Sequence, residues 1–574
     1  MTGSGEKRCY ESVYLRRTFR RDGKVCNETV ANLSMLPAQT IAAIEATLKG
    51  QTLVAAGSEF DTTRSLPHGD AAAVAAMARK VGMPALLGPA GRARDLVLGL
   101  IISRVIRPVS KLGTLAWWAD TTLGADLGIA GASTDEIYSS MDWLAGRQDA
   151  IEKKLAAKHL GTQENPGKMA LFDLSSTWMT GSCCELAARG YSRDGKKGLP
   201  QINFGLLGDR EGRPVAMRVF AGNTGDPKAF IKIVGDLKDT FRLDDLVMVG
   251  DRGMITTARI NALRELNDAG TRFGWITALR NPAIAALAAD NGPLQMSLFD
   301  QQDLVEIEHP DYPGERLIAC RNPLLAVQRA HKRDKLLAAT EKLLEPIATR
   351  VDKGRLTGAD KIGEAVGKAI GKYKMGKHFH RTITDTGFTY HRNQAAIDAE
   401  AALDGIYVIR TSVEAHALGP AGVVEAYKDL ASIERDFRSI KTDDLHVRPI
   451  HHRLEDRVKA HLLICMLARY LIWHLRKAWA PLTFTDENPP TRDNPVAPAK
   501  RSTDANAKAA HKHDANGNPT RSFTGLLEHL KTLTRNKIRY QDTNIEIDKL
   551  TDPTPQQRRA FDLIKATIPL TIAA

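Results

Sequence analysis

Two aspartates close apolar runs: Asp173 in KMALFDLSS and Asp251 in DDLVMVGDRG. An acid at a strand end escapes the hydrophobic core yet stays fixed by the sheet, and in open α/β sheets ligand sites lie at the carboxyl ends of strands. Taken singly, such an aspartate is more often a turn or cap residue. A third acid sits in a different setting. In VVEAYKDLASIERDFRSIK, residues 423–441, Tyr427, Glu434 and Lys441 are spaced by seven and seven. Seven helical steps return to within about 20° of the start, roughly 10 Å further along, so the three side chains share one face. Arg435 and Arg438 flank the carboxylate. A carboxylate beside cations on one helix suits a metal ligand next to a phosphate. A solvated amphipathic helix with i,i+3 and i,i+4 pairs is the plain alternative.

Other residues of chemical interest carry less. Gly371, Gly376 and Lys377 are spaced like a phosphate-binding loop, but no Ser or Thr follows the lysine and a charged helix precedes it where a strand is needed. His378, His380 and His391 could meet on adjacent strands, yet no cysteine is near, so ordinary strand histidines are expected. His511 and His513 fall in a loose polar region. Ser175, Ser176 and Ser182 lack the G-x-S-x-G elbow of a serine hydrolase. The six cysteines (Cys9, Cys26, Cys183, Cys184, Cys320 and Cys465) include no C-x-x-C pair, which speaks against structural zinc and for reduced thiols in a cytosolic protein.

The elements that must position these residues follow from periodicity. Residues 10–36 alternate apolar and polar about Asp22-Gly23, a β-hairpin pattern. From Asp70 to about Leu160 the pattern is helical, with a helix start at Ser133-Thr134-Asp135-Glu136. This stretch is either a DNA-binding module of helix-turn-helix type or a bundle that merely packs. After residue 168 the order is three strands, helix, strand, helix, strand, an α/β pattern with a mixed sheet. Residues 279–403 break it with a strand-like segment near Glu315–Cys320, a charged helix over 326–374 and the strand-like HFHRTITDTGFTYHR. That charged helix either lines DNA or is a solvated face. A further strand follows at 405–412, then helices at 422–441 and 452–479. Residues 480–521, rich in Pro, Asn, Asp, Lys and Ala, read as a mobile linker or loop. The expected divisions are 1–68, 69–165, 166–278, 279–412, 413–480 and 481–574.

Length and charge agree with a multidomain protein that handles a polyanion. The chain has 574 residues, 43% of them hydrophobic, and its 80 Lys and Arg against 67 Asp and Glu give a net charge of +13. Nucleic acid is the first partner this suggests and an acidic membrane the second. The N-terminal residues show no apolar core of a secretory signal. His461 to Leu475 is the most apolar stretch, too short for a membrane span and interrupted by Arg469, so a buried core helix is expected.

Taken in order, these blocks resemble the DDE transposases of bacterial insertion sequences. More narrowly, they resemble the IS-four-like group, with a Y-x2-R-x3-E-x6-K block and an insertion before the Glu. Tyr427, Glu434 and Lys441 match that block, with Leu430 at the usual Arg position, which removes one expected phosphate contact. GYSRDGKKGLPQINFGLLGDREGRPVAMRVFAGNTGD resembles the segment after the first Asp, and VGDRGM the block around the second. The likeness spans about residues 168–478. It implies an RNase H-like catalytic core interrupted by a mixed α/β insertion (279–412) and preceded by the hairpin and helical domain. It also implies Asp173, Asp251 and Glu434 as catalytic, metal-binding carboxylates. Two Mg²⁺ ions would bind there, with Mn²⁺ as a substitute, and Tyr427, Lys441, Arg438 and Arg252 would contact DNA. The expected partners are double-stranded transposon-end and target DNA and a second copy of the chain, with no membrane, in a bacterial cytoplasm and nucleoid. An RNase H-like nuclease without strand transfer and an inactive DNA-binding descendant are the alternatives.

Overall fold

Alternation around Asp22-Gly23 closes into the expected hairpin. In the computed structural model, Tyr14–Arg21 (β1) and Lys24–Asn32 (β2) pair antiparallel. Both turn residues take positive φ, 52° and 77°, which matches the twist of two-residue hairpins. The structure describes residues 11–51, 60–161, 168–181, 183–243, 245–268, 270–289, 292–299, 302–492, 494–514, 517–540 and 545–572. The chain forms two compact units. One comprises residues up to Ser65 together with Arg535–Thr551. Besides the hairpin it holds the helix Ala38–Leu48 and a three-stranded sheet, in which Phe60–Pro67 (β3) lies beside Thr534–Tyr540, itself paired with Glu546–Leu550.

The larger unit is built on one mixed sheet. Met169–Trp178 (β4), Gln201–Asp209 (β5), Pro214–Ala221 (β6), Asp245–Gly250 (β7) and Arg272–Ala278 (β8) lie in the spatial order β6-β5-β4-β7-β8. The first three run antiparallel and β4, β7 and β8 run parallel, with the helices Asp226–Gly235 and Thr257–Asp268 on the crossovers. This is the mixed sheet expected of an RNase H-like core. Every residue of β5 is buried, as a strand covered on both faces requires.

The sheet does not stop at β8. Leu304–Ile307 (β9), Arg316–Arg321 (β10) and Ile406–Thr411 (β13, numbered after the two strands below) extend it antiparallel in the order β8-β13-β10-β9. Buried Glu315 fastens this extension. It accepts from Arg410 at 2.5 and 2.6 Å, from Arg264 at 3.0 Å and from the Trp275 indole at 3.2 Å. Between β10 and β13 the chain leaves the sheet. The charged stretch forms two packed helices, Pro323–Asp352 and Ala359–Tyr373. Gly354 and Gly358 part them at positive φ, 64° and 91°. With the hairpin Phe379–Ile383 (β11) and Phe388–Arg392 (β12) they enclose their own apolar core around Leu344, Ile362, Val366 and Phe388. Gly371 lies within the second helix, so the glycine spacing there builds no phosphate loop.

The helices Gly69–Lys80, Arg92–Ile106 and Thr134–Ala145 pack on the long helix Glu455–Ala478, while Gln148–His159 packs on β6. All share one apolar core with the sheet. The helix start expected at Ser133-Thr134-Asp135-Glu136 is present, and Ser133 and Glu136 form a capping box there. Glu455–Ala478 is the one described helix long and apolar enough to cross a membrane, but 83% of its apolar window is buried inside the protein. It is a buried core helix, as its length and Arg469 imply. The polar stretch 480–521 is tied down. Asn494 donates to Asp303 at 2.6 Å, Asn322 to the Val496 carbonyl at 3.2 Å, and Val496 is fully buried. The Val496 carbonyl also accepts from Lys428, and Arg521 donates to Gln556, so the stretch is anchored at several points although many of its polar side chains stay exposed.

His159 and His474 flank Tyr470, with His159 Nε2 at 3.0 Å from the phenol oxygen and the His474 ring at 4.7 Å. Burial first, then Arg213 nearby, lowers His159 to about 4 and His474 to about 3. The fold therefore holds both rings neutral, whereas the unfolded chain protonates them below about 6.5. Their stabilisation is complete above that pH and is lost as pH falls toward 3–4. His474→Gln should flatten the loss of stability between pH 6.5 and 4 in urea titrations. An unchanged slope would mean that the ring is charged in the folded protein.

Candidate active site

The parallel register of β4 and β7 runs from Met169↔Val247 to Phe172↔Gly250 and ends there. The next residues on the two chains are Asp173 and Asp251. Residues in register on parallel neighbours project to the same face, so both acids emerge at one end of the sheet. Asp173 is not at the end of its own strand, as the apolar run implied. β4 continues to Trp178 against β5, with Asp173 opposite Leu206. What ends at Asp173 is the partnership with β7. Asp251 follows β7 directly and opens a tight turn, where the Met254 and Ile255 N–H groups donate to its carbonyl at 2.8 and 3.0 Å.

Glu434 comes from a helix laid across β4 and β5. Residues 420–443 form the α-helices Pro420–Lys428 and Leu430–Arg438 and a π turn, Ser439–Asp443. The buried face of the middle segment fixes its position. Phe437 meets Phe204 of β5 edge-on at 5.5 Å. Ile433 reaches Gly208, where an added Cβ would stand 2.6 Å from its Cδ1. On another flank buried Asp436 bonds Arg469 of the long helix at 2.7–2.8 Å. Glu434, between these buried positions, stays exposed.

The charges show that these groups are neighbours. Asp173 is pushed up to about 6, first by burial and then by Asp251 and Glu434. The Leu174 N–H, donating to its Oδ1 at 2.7 Å, and Arg193 pull the other way. The Tyr427 phenol is raised by burial and next by Asp251, with Glu434 and Asp173 adding and Arg252 opposing. Tyr427 and the three carboxylates thus form one electrostatic group. An all-oxygen donor set suits a hard divalent cation, which would relieve the repulsion. Among the described residues no three His, Cys, Asp or Glu side chains stand at metal-ligand spacing. Closing the triad on an ion requires side-chain rotation, which exposed Asp251 and Glu434 can make.

A transposase DDE domain model matches residues 175–471, and an IS1634 family transposase N-terminal domain model matches residues 3–59. The chain belongs to the DDE transposases of insertion sequences. The first match spans Asp251 and Glu434 and begins two residues beyond Asp173. A search of curated proteins found no match. As a DDE transposase the protein acts on DNA, and enzymes of this family use divalent metal ions.

The other predicted contacts fall in two places. Arg438 is exposed one turn beyond Glu434, and Arg252 is exposed beside Asp251, 3.5 Å from Asn281. Leu430 is half-buried against the core of the transposase. Lys441 is different. It lies in the π turn, which breaks the 3.6-residue period, and it is buried. Its Nζ is 2.9 Å from Asp194 Oδ1, and Arg448 binds the same oxygen at 2.6 Å. Arg448 and Lys196 lie over the Trp178 ring at 5.0 and 5.5 Å. The end of β4 therefore carries a rim of cations, Arg193, Lys196, Lys441 and Arg448. Only Lys441 was expected from its spacing. The cation density of SRDGKKG and HVRP was the available signal for the others.

Because the Asp436–Arg469 pair fixes the Glu434 helix from behind, Arg469→Met should leave an unpaired buried carboxylate. The expected loss is about 3–5 kcal/mol by equilibrium denaturation. Asp436→Leu combined with Arg469→Met should recover most of it. A single variant as stable as the parent would show that the pair is not needed.

Proposed function

We propose that this transposase binds the terminal inverted repeats of its own element, cuts the DNA there and joins the freed end to a target, using Asp173, Asp251 and Glu434 as its metal-binding carboxylates. The observation that carries the reading is the convergence of three acids, from β4, from the turn after β7 and from the Leu430–Arg438 helix, into one electrostatic group. A pair of Mg²⁺ ions, or Mn²⁺ in their place, would supply an activated oxygen nucleophile and neutralise charge on the leaving oxygen.

The chain's own residues do the rest. Asp173, held by the sheet and by the Leu174 N–H, is the fixed member of the triad, and Asp251 and Glu434 adjust around it. Tyr427, its phenol kept protonated by burial and then by the neighbouring carboxylates, donates to a phosphate oxygen. Arg252 and Arg438 hold phosphates on either side of the cut. Lys441, paired with Asp194, reaches a phosphate only by leaving that partner and otherwise orders the cationic rim. The helical residues 69–165 are the proposed DNA-end module, with residues 279–412 contributing and residues 413–480 completing the core. The basic balance of the chain favours DNA over other partners. Two ends must be brought together for joining, so the working form is a dimer of this chain.

The test is cleavage of DNA carrying the element's own ends in Mg²⁺. Glu434→Gln and Asp173→Asn should each cut at least about 10³-fold more slowly while still binding the ends. A Glu434→Gln protein that cuts as fast as the parent would remove this residue from the centre. Transfer of the cut end into a circular target separates joining from simple hydrolysis.

A further inference from the structure

A second group of cations lies away from the carboxylates. A cavity of about 440 Å³ is lined by Arg104, Lys111, Arg448, His451, His452 and His461, with no acid among its described lining residues. Arg104, Lys111 and His461 are each only 6% exposed. The Arg104 guanidinium donates to the Leu445 carbonyl at 3.4 Å, and Lys111 Nζ is 3.3 Å from His461 Nδ1. Neither cation pairs with a carboxylate among the described residues. Elsewhere in the fold buried cations are matched, as Arg410 is by Glu315 and Arg469 by Asp436.

An unpaired buried cation is costly unless an anion joins it. Lys111 can shed its proton, since burial and the adjacent Arg104 draw its ammonium down to about 7. Arg104 cannot, because a guanidinium stays charged at any working pH. The pocket is therefore positive whatever Lys111 does, and the planar fork of an arginine fits a tetrahedral oxyanion.

Its walls connect to the strand that carries Asp173. His451 Nδ1 is 3.0 Å from Thr180 Oγ1, Ile450 bridges to Met179, and Arg448 stacks on Trp178 and binds Asp194. Thr180 lies seven steps of extended chain beyond Asp173, roughly 20 Å at strand rise. That distance corresponds to several nucleotides along a DNA strand.

We propose that this cavity is a phosphate-binding site in which Arg104 and Lys111 clamp one phosphate group, and that its occupant is a backbone phosphate of bound DNA several nucleotides from the cut. The phosphate chemistry follows from the cavity itself. The choice of DNA as its source rests on the function proposed above.

The first measurement is thermal unfolding of the full chain in inorganic phosphate against chloride at equal ionic strength. The intact protein should gain several degrees, saturably, as phosphate binds the folded form. Lys111→Met should lose most of that gain, and in chloride it should melt no lower than the parent, because it removes an unpaired buried charge. Arg104→Gln should behave likewise, and if it does not fold, Lys111→Met decides. No gain for the intact protein over chloride, or an equal gain in Lys111→Met, would overturn the site. For the source, binding to end-carrying DNA is followed against salt. Lys111→Met should weaken it and lower the slope of log K against log salt by about 0.9, one phosphate contact. An unchanged slope beside an intact phosphate response would assign the pocket to free phosphate and overturn the DNA assignment. Glu434→Gln should keep the phosphate response, so failure of the cleavage reading leaves this result standing.

Discussion

The parallel pairing of β4 with β7 stops one residue short of two aspartates, and the rest of the larger unit is arranged around that stop. Up to Phe172 and Gly250 the two strands exchange ladder hydrogen bonds and bury every side chain but that of Asp245. Beyond it β4 keeps only β5 as a neighbour, and the chain after β7 turns away into Arg252-Gly253. The gap lets two like charges reach one place while the backbone of each stays fixed. A carboxylate in a continuous two-sided ladder would be buried without solvent or partner. One on a free loop would drift away from its neighbour.

The third acid needs a different support, because a helix resting on a sheet can slide or roll. Three contacts remove those motions here. The Phe437 ring meets Phe204, Ile433 enters the space left by the absent side chain at Gly208, and Asp436 is held by Arg469. The first two set the height of the helix above the sheet. The ion pair, in a dry interior where misalignment is expensive, sets its rotation. Arg469 looked like a flaw in the most apolar stretch of the sequence. It holds the Glu434 helix through Asp436.

Much of this was legible because it rests on local pattern. Apolar runs ending in acids gave β4, β7 and their aspartates, and the Asp-Gly hairpin and the Ser133 cap were readable from single turns. The long apolar helix was recognised from its length and its interrupting arginine. What escaped depends on non-local partners. Nothing near β9, β10 and β13 announces that they extend the main sheet, since Glu315 finds Arg410 only in three dimensions. Seven-residue spacing placed Lys441 beside Glu434, but spacing assumes one uninterrupted helix and the π turn spoils it. The polar stretch 480–521 has the composition of a solvated linker. The Asn494 amide and the Val496 carbonyl bond to distant parts of the core, which composition alone does not reveal.

The smaller unit is assembled from two stretches far apart in the sequence. β3 lies next to Thr534–Tyr540, with the Phe60 and Tyr540 rings 4.7 Å apart, and Glu546–Leu550 completes the sheet. Domains ordinarily fold in the order in which the ribosome releases them. This one cannot. Its first strands emerge early and must wait while nearly five hundred residues are synthesised before their last neighbour exists. A polypeptide whose translation stops early therefore has an unfinished sheet at its front, with a backbone edge open to other chains. Completing the smaller unit thus reports that the larger unit has been made as far as Thr534, with only Asp552–Ala574 still to follow.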